Sequence, residues 1–170
     1  MPDTIVASAP ERRGGLAVIV VVTVVGFIFL AHALHIDPAY AGLLYFWYWA
    51  VVAEAKPRAM PSSLLGALLG VGLAALLQWA VRSHQPIEII GVLLLIVAAV
   101  VVDVMRLLPF AINGCCMLFL TVVSAPLIQG SENFVVVVES ILLSAIYFGL
   151  IVAALGWLQA RGQGRKRDLE

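Results

Sequence analysis

The feature that most constrains this chain is a succession of apolar stretches, each about as long as a lipid bilayer is thick. A hydrocarbon core of about 30 Å needs about 20 helical residues at 1.5 Å each. Six stretches fit that measure: Gly15 to Leu34, Pro38 to Ala53, Ser62 to Val81, Ile87 to Met105, Leu108 to Ile128 and Phe134 to Leu158. The second is the shortest, closed between Asp37 and Glu54, and is expected to be broken or to thin the bilayer locally. Valine-rich runs such as Val18 to Val25 favour strands, but a membrane barrel strand alternates apolar with polar residues and these runs do not. The expected fold is therefore all-α, a polytopic bundle of six transmembrane helices. It occupies residues 15–160, between a cytoplasmic N-terminal segment at 1–14 and a charged tail at 161–170.

Composition agrees with that expectation and removes several alternatives. The chain is 63% hydrophobic and only 12% charged, far from the balance of a soluble domain. Ten basic and ten acidic residues cancel, so no net positive charge is on offer for nucleic acid. The two cysteines, Cys115 and Cys116, are adjacent and are read as small packing residues rather than as a disulfide framework or metal site. There is no Gly-rich phosphate loop, zinc signature, nucleophile elbow or haem attachment box. No catalytic residue, metal or cofactor is expected, and the chain is not read as an enzyme.

Basic residues suggest the orientation, because loops rich in Lys and Arg stay cytoplasmic. Arg12 and Arg13, Lys56 and Arg58, Arg106, and the group Arg161, Arg165, Lys166 and Arg167 all fall on one side of a six-span arrangement. The opposite loops carry Arg82, with His35, Asp37, His84, Glu88 and Glu132. Both termini are thus expected in the cytoplasm, in a bacterial-type inner membrane. Arg12-Arg13, the following apolar core and Ala31-His32-Ala33 imitate a signal peptide, but the core is longer than a usual signal and is read as a retained span.

Laying Leu64-Leu65-Gly66-Ala67 over Leu142-Leu143-Ser144-Ala145 also lays Ala75, Leu77 and Trp79 over Ala153, Leu155 and Trp157. Spans three and six thus look related. Three spans per half would give the inverted repeat that many transporters use.

Small residues mark where helices can approach. Ser62, Gly66, Gly70, Ala74 and Gln78 recur every four residues and form one smooth stripe on span three; Ala145, Gly149 and Ala153 form another on span six. These stripes serve helix packing within the bundle or between protomers of a homo-oligomer. Alternatively, they leave room for a permeant solute, with Gln78 offering it a hydrogen bond.

Polar and aromatic residues inside the spans are the candidates for a pathway. Tyr45, Tyr48 and Trp49 share one face within the run Tyr45-Phe46-Trp47-Tyr48-Trp49, where they either anchor the helix or form an aromatic wall. Charges within a bilayer are costly unless paired or wet. Asp103 stands three residues before Arg106 and is open to a local ion pair or a pathway role. Glu139, inside span six beside Ser140, is open to taking up protons, gating a pore or snorkelling outward, and is the first candidate for a proton site. Asn113-Gly114, within a span bracketed by Pro109 and Pro126, can unwind the helix and expose backbone to a cavity. His32 and His35, one turn apart before Asp37, suit either an interface or a metal, though no third ligand is evident.

The stretch Phe46-Trp47-Tyr48-Trp49 through Pro57, followed by Pro61 and Leu64-Leu65-Gly66-Ala67-Leu68-Leu69-Gly70, resembles the fusaric-acid-resistance-like family, which includes aromatic acid exporters. The resemblance implies a six-span membrane unit that exports small acids. It departs from that family in lacking a sizeable cytoplasmic domain and in carrying Ser63-Leu64-Leu65 where an Arg commonly precedes the glycine run. The expected function is a channel or secondary transporter in the lipid bilayer for a small solute, such as an organic acid or amide. The alternative is an accessory subunit that binds partner helices.

Overall fold

The structure is a computed structural model and describes residues 9–37, 39–125, 128 and 133–167. Every regular element among them is helical. Helix α1 spans Ala9–Ala33, and α2 spans Tyr40–Trp47 and widens into a π-helical turn at Tyr48–Val52. A 3₁₀ turn at Pro57–Ala59 leads into α3 at Met60–Ser83, followed by α4 at Pro86–Val104, α5 at Gly114–Val123 and α6 at Phe134–Arg167.

Three segments, Pro57–Ser83, Pro86–Val104 and Phe134–Trp157, are long and apolar enough to cross a membrane, which is compatible with a membrane protein. The other apolar helices among the described residues, Val18–Ala33, Tyr40–Val52 and Gly114–Val123, are shorter. Six crossings were expected, the second of them short or broken, and the clearest departure is the fifth. Instead of running from Leu108 to Ile128, it is helical only over Gly114–Val123, about 15 Å of rise. Two local causes set its start. Arg106 ends α4 in the left-handed conformation (φ 52°), with its N–H donating to the Asp103 carbonyl and the Leu107 N–H donating back to Val102, a Schellman arrangement. The chain then turns through Pro109 until Asn113 caps α5. Pro126 and Glu132 lie outside the described residues, as does Pro38.

The charged tail also differs from expectation, since α6 continues as helix to Arg167 rather than ending at Leu158. Arg161 lies 3.6 Å over the Trp157 ring, an i, i+4 cation–π contact worth about 0.5–1 kcal/mol at an exposed site.

Helix α3 is the hub, packing on α5, α4 and α6, while α2 packs on α6 and α1 rests on α6. Close approach on α3 comes from the glycine stripe. A Cβ on Gly66 would collide with the Asn113 side chain, and one on Gly70 with the Cys116 carbonyl and with Phe119. The α2–α6 contact uses a different device. The N–H of Gly42, in the first turn of α2 where no intrahelical acceptor exists, donates to Ser140 Oγ at 3.0 Å. Ser144 Oγ donates in turn to the Gly42 carbonyl at 2.6 Å. Both serines are fully buried, so these bonds supply partners that an apolar interface otherwise withholds. Below them Phe27, Phe148 and Trp49 form a second buried cluster, with Phe46 stacked on Phe148 at 3.7 Å between ring centroids.

Candidate functional site

The break between α4 and α5 opens a cavity of about 490 Å³ at the end of the bundle that also carries the Lys56–Arg58 loop. Four polar side chains line it: Tyr48 from the π turn, Asp103 from the last turn of α4, Arg106 from the turn after it, and Asn113 from the cap of α5.

Each is placed by its local chain. Asn113 Oδ1 accepts from the N–H groups of Cys115 (3.0 Å) and Cys116 (3.3 Å), while its Nδ2 donates to the Ser62 carbonyl (3.0 Å) and Ser62 Oγ (3.2 Å). Ser62 Oγ donates to the Phe110 carbonyl at 3.1 Å, which ties the irregular loop to the start of α3. Asn113 is thus spent on structure and forms a fixed wall. Tyr48 reaches across to Gly114, its hydroxyl 3.2 Å from where a Cβ would stand. The π turn carries it there: Ala53 N–H reaches back five residues to Tyr48, and Trp49 Nε1 donates to the Lys56 carbonyl at 3.1 Å. Such turns are frequent at functional sites.

The ion pair expected between Asp103 and Arg106 does not form. Among the described residues only His32–Asp37 (3.7 Å) and Lys56–Glu54 (2.7 Å) come within ion-pair distance. The left-handed backbone at Arg106 sets its side chain apart from the helical i, i+3 position, and both charges face the cavity unpaired. Asp103 is half-buried and Arg106 exposed. Outside the cavity, the Lys56 ammonium on Glu54 holds that carboxyl below its ordinary range.

The structure therefore brings Tyr48, Asp103 and Asn113 together and leaves the other pathway candidates elsewhere. Tyr45 and Trp49 are fully buried and form no cavity wall; the Tyr45 hydroxyl donates to the Met60 carbonyl at 3.3 Å. Gln78 sits about 27 Å along α3 from its start, near the opposite end. Glu139 is exposed and lies near the start of α6, away from the vestibule. It precedes Ser140, and the roughly 100° step between them turns it outward when Ser140 faces Gly42. Of the packing stripes, Gly66, Gly70 and Ala74 are buried, as is Ala145; Gly149 faces Met60, but Ala153 is exposed. His32 and His35 cap α1, His35 in the left-handed conformation (φ 56°). No three His, Cys, Asp or Glu side chains converge among the described residues.

Sequence reasoning passed over Arg106 as a vestibule residue, treating it as an orienting loop charge and a partner for Asp103, and missed Gly42. The signal for Gly42 was present in Ser140 and Ser144, a small-x-x-x-small pair needing a close neighbour.

Beside the vestibule, α3 and α4 diverge over an apolar groove of about 220 Å³, walled by Leu69 and Leu73 on one side and Leu95, Ala98 and Ala99 on the other. Ile112 lines both spaces. Compared with known protein families, curated proteins and solved structures, the chain matches none of them, and its function is read from its own residues.

Proposed function

We propose that this protein is a compact six-helix membrane channel or secondary transporter for a small solute, a small organic acid or amide, with both termini cytoplasmic. The observation that carries the reading is the vestibule, where Asp103, Arg106 and Tyr48 face one open cavity at the end rich in Lys and Arg. A guanidinium is suited to a carboxylate solute. Asp103 replaces Glu139 as the leading candidate for proton coupling, because it is half-buried inside the vestibule while Glu139 points out of the bundle. In this arrangement α1, α2 and α5 are also crossings, the short α2 and α5 being accommodated by local thinning of the bilayer. The order of long, short and long helices in each half supports a three-plus-three repeat.

Purified protein in liposomes should move a subset of small acids or amides, read by uptake and swelling with and without a proton gradient. Asp103→Asn should remove any pH dependence while leaving insertion intact. Flux with unchanged pH dependence in this variant takes Asp103 out of the mechanism.

One observation favours a second reading, an accessory subunit. Only Val92 and Ala99 of α4 are buried, so this apolar helix packs on α3 and offers nearly its whole remaining surface to lipid or to a partner helix. Absence of flux across the solute panel, together with recovery of a stable membrane partner, selects it.

A further inference from the structure

We propose that the vestibule and the apolar groove together form a binding site for one zwitterionic phospholipid, its headgroup ammonium on Asp103, its phosphate on Arg106 and one acyl chain between α3 and α4. The two spaces are continuous in chain and in wall. Val102 lines the groove and Asp103 the vestibule, and Ile112 belongs to both.

The chemistry of the vestibule selects the headgroup. Asp103 and Arg106 carry opposite charges, face the same cavity and do not pair, and the Asp103 carboxylate has no ion-pair or hydrogen-bond partner among the described residues. A purely anionic ligand engages Arg106 alone, and a purely cationic one engages Asp103 alone. A ligand bearing both charges satisfies both. A primary ammonium donates hydrogen bonds to a carboxylate, which a quaternary ammonium cannot do, and phosphate is a natural partner for guanidinium.

Depth selects the rest of the molecule. Helix α4 has 19 residues and rises about 28 Å, so a chain that crosses on it places Asp103 and Arg106 at headgroup level. Leu69 and Leu73 stand about 14 and 20 Å into α3 from its start, at hydrocarbon depth. A polar pair above an apolar furrow is the shape of an amphiphile lying along the bundle. The site needs no transport to exist, and because a headgroup and a solute share the vestibule, binding is measured without flux.

The test uses the purified full chain in detergent, titrated with phosphatidylethanolamine, phosphatidylcholine and phosphatidylglycerol of identical acyl chains, and read by native mass spectrometry. Phosphatidylethanolamine should be retained in roughly ten-fold preference to the other two, the size expected from one charge-assisted hydrogen bond. Asp103→Asn should erase the preference over phosphatidylcholine, and Arg106→Gln should weaken all three lipids. Ala98→Phe, at an exposed groove position, should weaken long-chain lipids and spare short-chain ones of the same headgroup. Equal retention of the three lipids by the unaltered chain overturns the proposal, as does preference for phosphatidylglycerol alone. Persistence of the ethanolamine preference in Asp103→Asn overturns it too. Flux in liposomes lacking phosphatidylethanolamine, with no lipid preference in detergent, removes the lipid site and leaves the transport reading standing.

Discussion

Helix α3 presents two flanks to two neighbours, and they are built oppositely. Toward α5 it shows Gly66 and Gly70, and the Asn113 side chain at the first and the α5 backbone at the second come so near that a Cβ has no room. Toward α4 it shows Leu69 and Leu73, and the neighbour stands off over an open groove. Both flanks are apolar, so hydrophobicity does not distinguish them. In a membrane, where lipid is as apolar as leucine, residue size decides whether two helices close or leave space between them. One flank thereby becomes scaffold and the other becomes a place for a ligand.

Substitutions at glycine are the strongest way to break the contrast. Gly70→Ala places a Cβ against the Cys116 carbonyl and the Leu120 N–H, backbone atoms that cannot rotate away. It should cost toward the top of the roughly 1–3 kcal/mol range for overpacking. Gly72→Ala, two residues along the same helix and with nothing within 4 Å, should gain about 0.5–1 kcal/mol from helix propensity. Thermal unfolding of the two variants in one detergent measures the difference, and equal effects would mean that α5 does not dock on the glycine flank.

A smaller loss tests what holds the tight flank at its end. Asn113→Ala removes the cap of α5 and the link to Ser62, and should cost about 1–2 kcal/mol by the same measurement. The smallest effect lies off both flanks. Because Lys56 depresses the Glu54 carboxyl, that pair stabilises the fold above the unfolded-state value and loses its contribution as pH falls through the lowered folded-state value. A shallow decline in stability below about pH 4 should therefore be reduced in Glu54→Gln. A change at that position larger than at Asn113 would show that the loop, not the α3–α5 contact, limits stability.

Much of the fold was legible because apolar length is written directly in the residues. The stretches around α3, α4 and α6 became helices long enough to cross, and the glycine spacing on α3 announced a close neighbour. The interruption between α4 and α5 was hidden by its own composition. Leu107, Leu108, Phe110, Ala111 and Ile112 read as more span, and only Pro109 and Asn113-Gly114 signalled a turn. Facing was the other obscured quantity. Glu139 and Ser140 are neighbours in sequence, yet one step of helix separates an exposed carboxylate from a buried hydroxyl. In helices that are apolar all round, periodicity says little about which side turns inward. The vestibule shared that obscurity, since the apolar run concealed how far the turn beyond Arg106 extends and so that Asp103, Arg106 and Asn113 line one cavity.

The π turn at Tyr48–Val52 sets the rotational register between the chain before it and the chain after it. A helix that holds one extra residue without moving its ends absorbs it as a single wide turn. Deleting one residue within it would restore ordinary winding and rotate everything on one side by about 100° relative to the other. The buried Tyr45 and Trp49 and the vestibule residue Tyr48 would then lose their present register against the Lys56–Arg58 loop and α3. The length of the aromatic run therefore matters as much as the identity of its rings, because the buried Tyr45 and Trp49 and the vestibule residue Tyr48 depend on both.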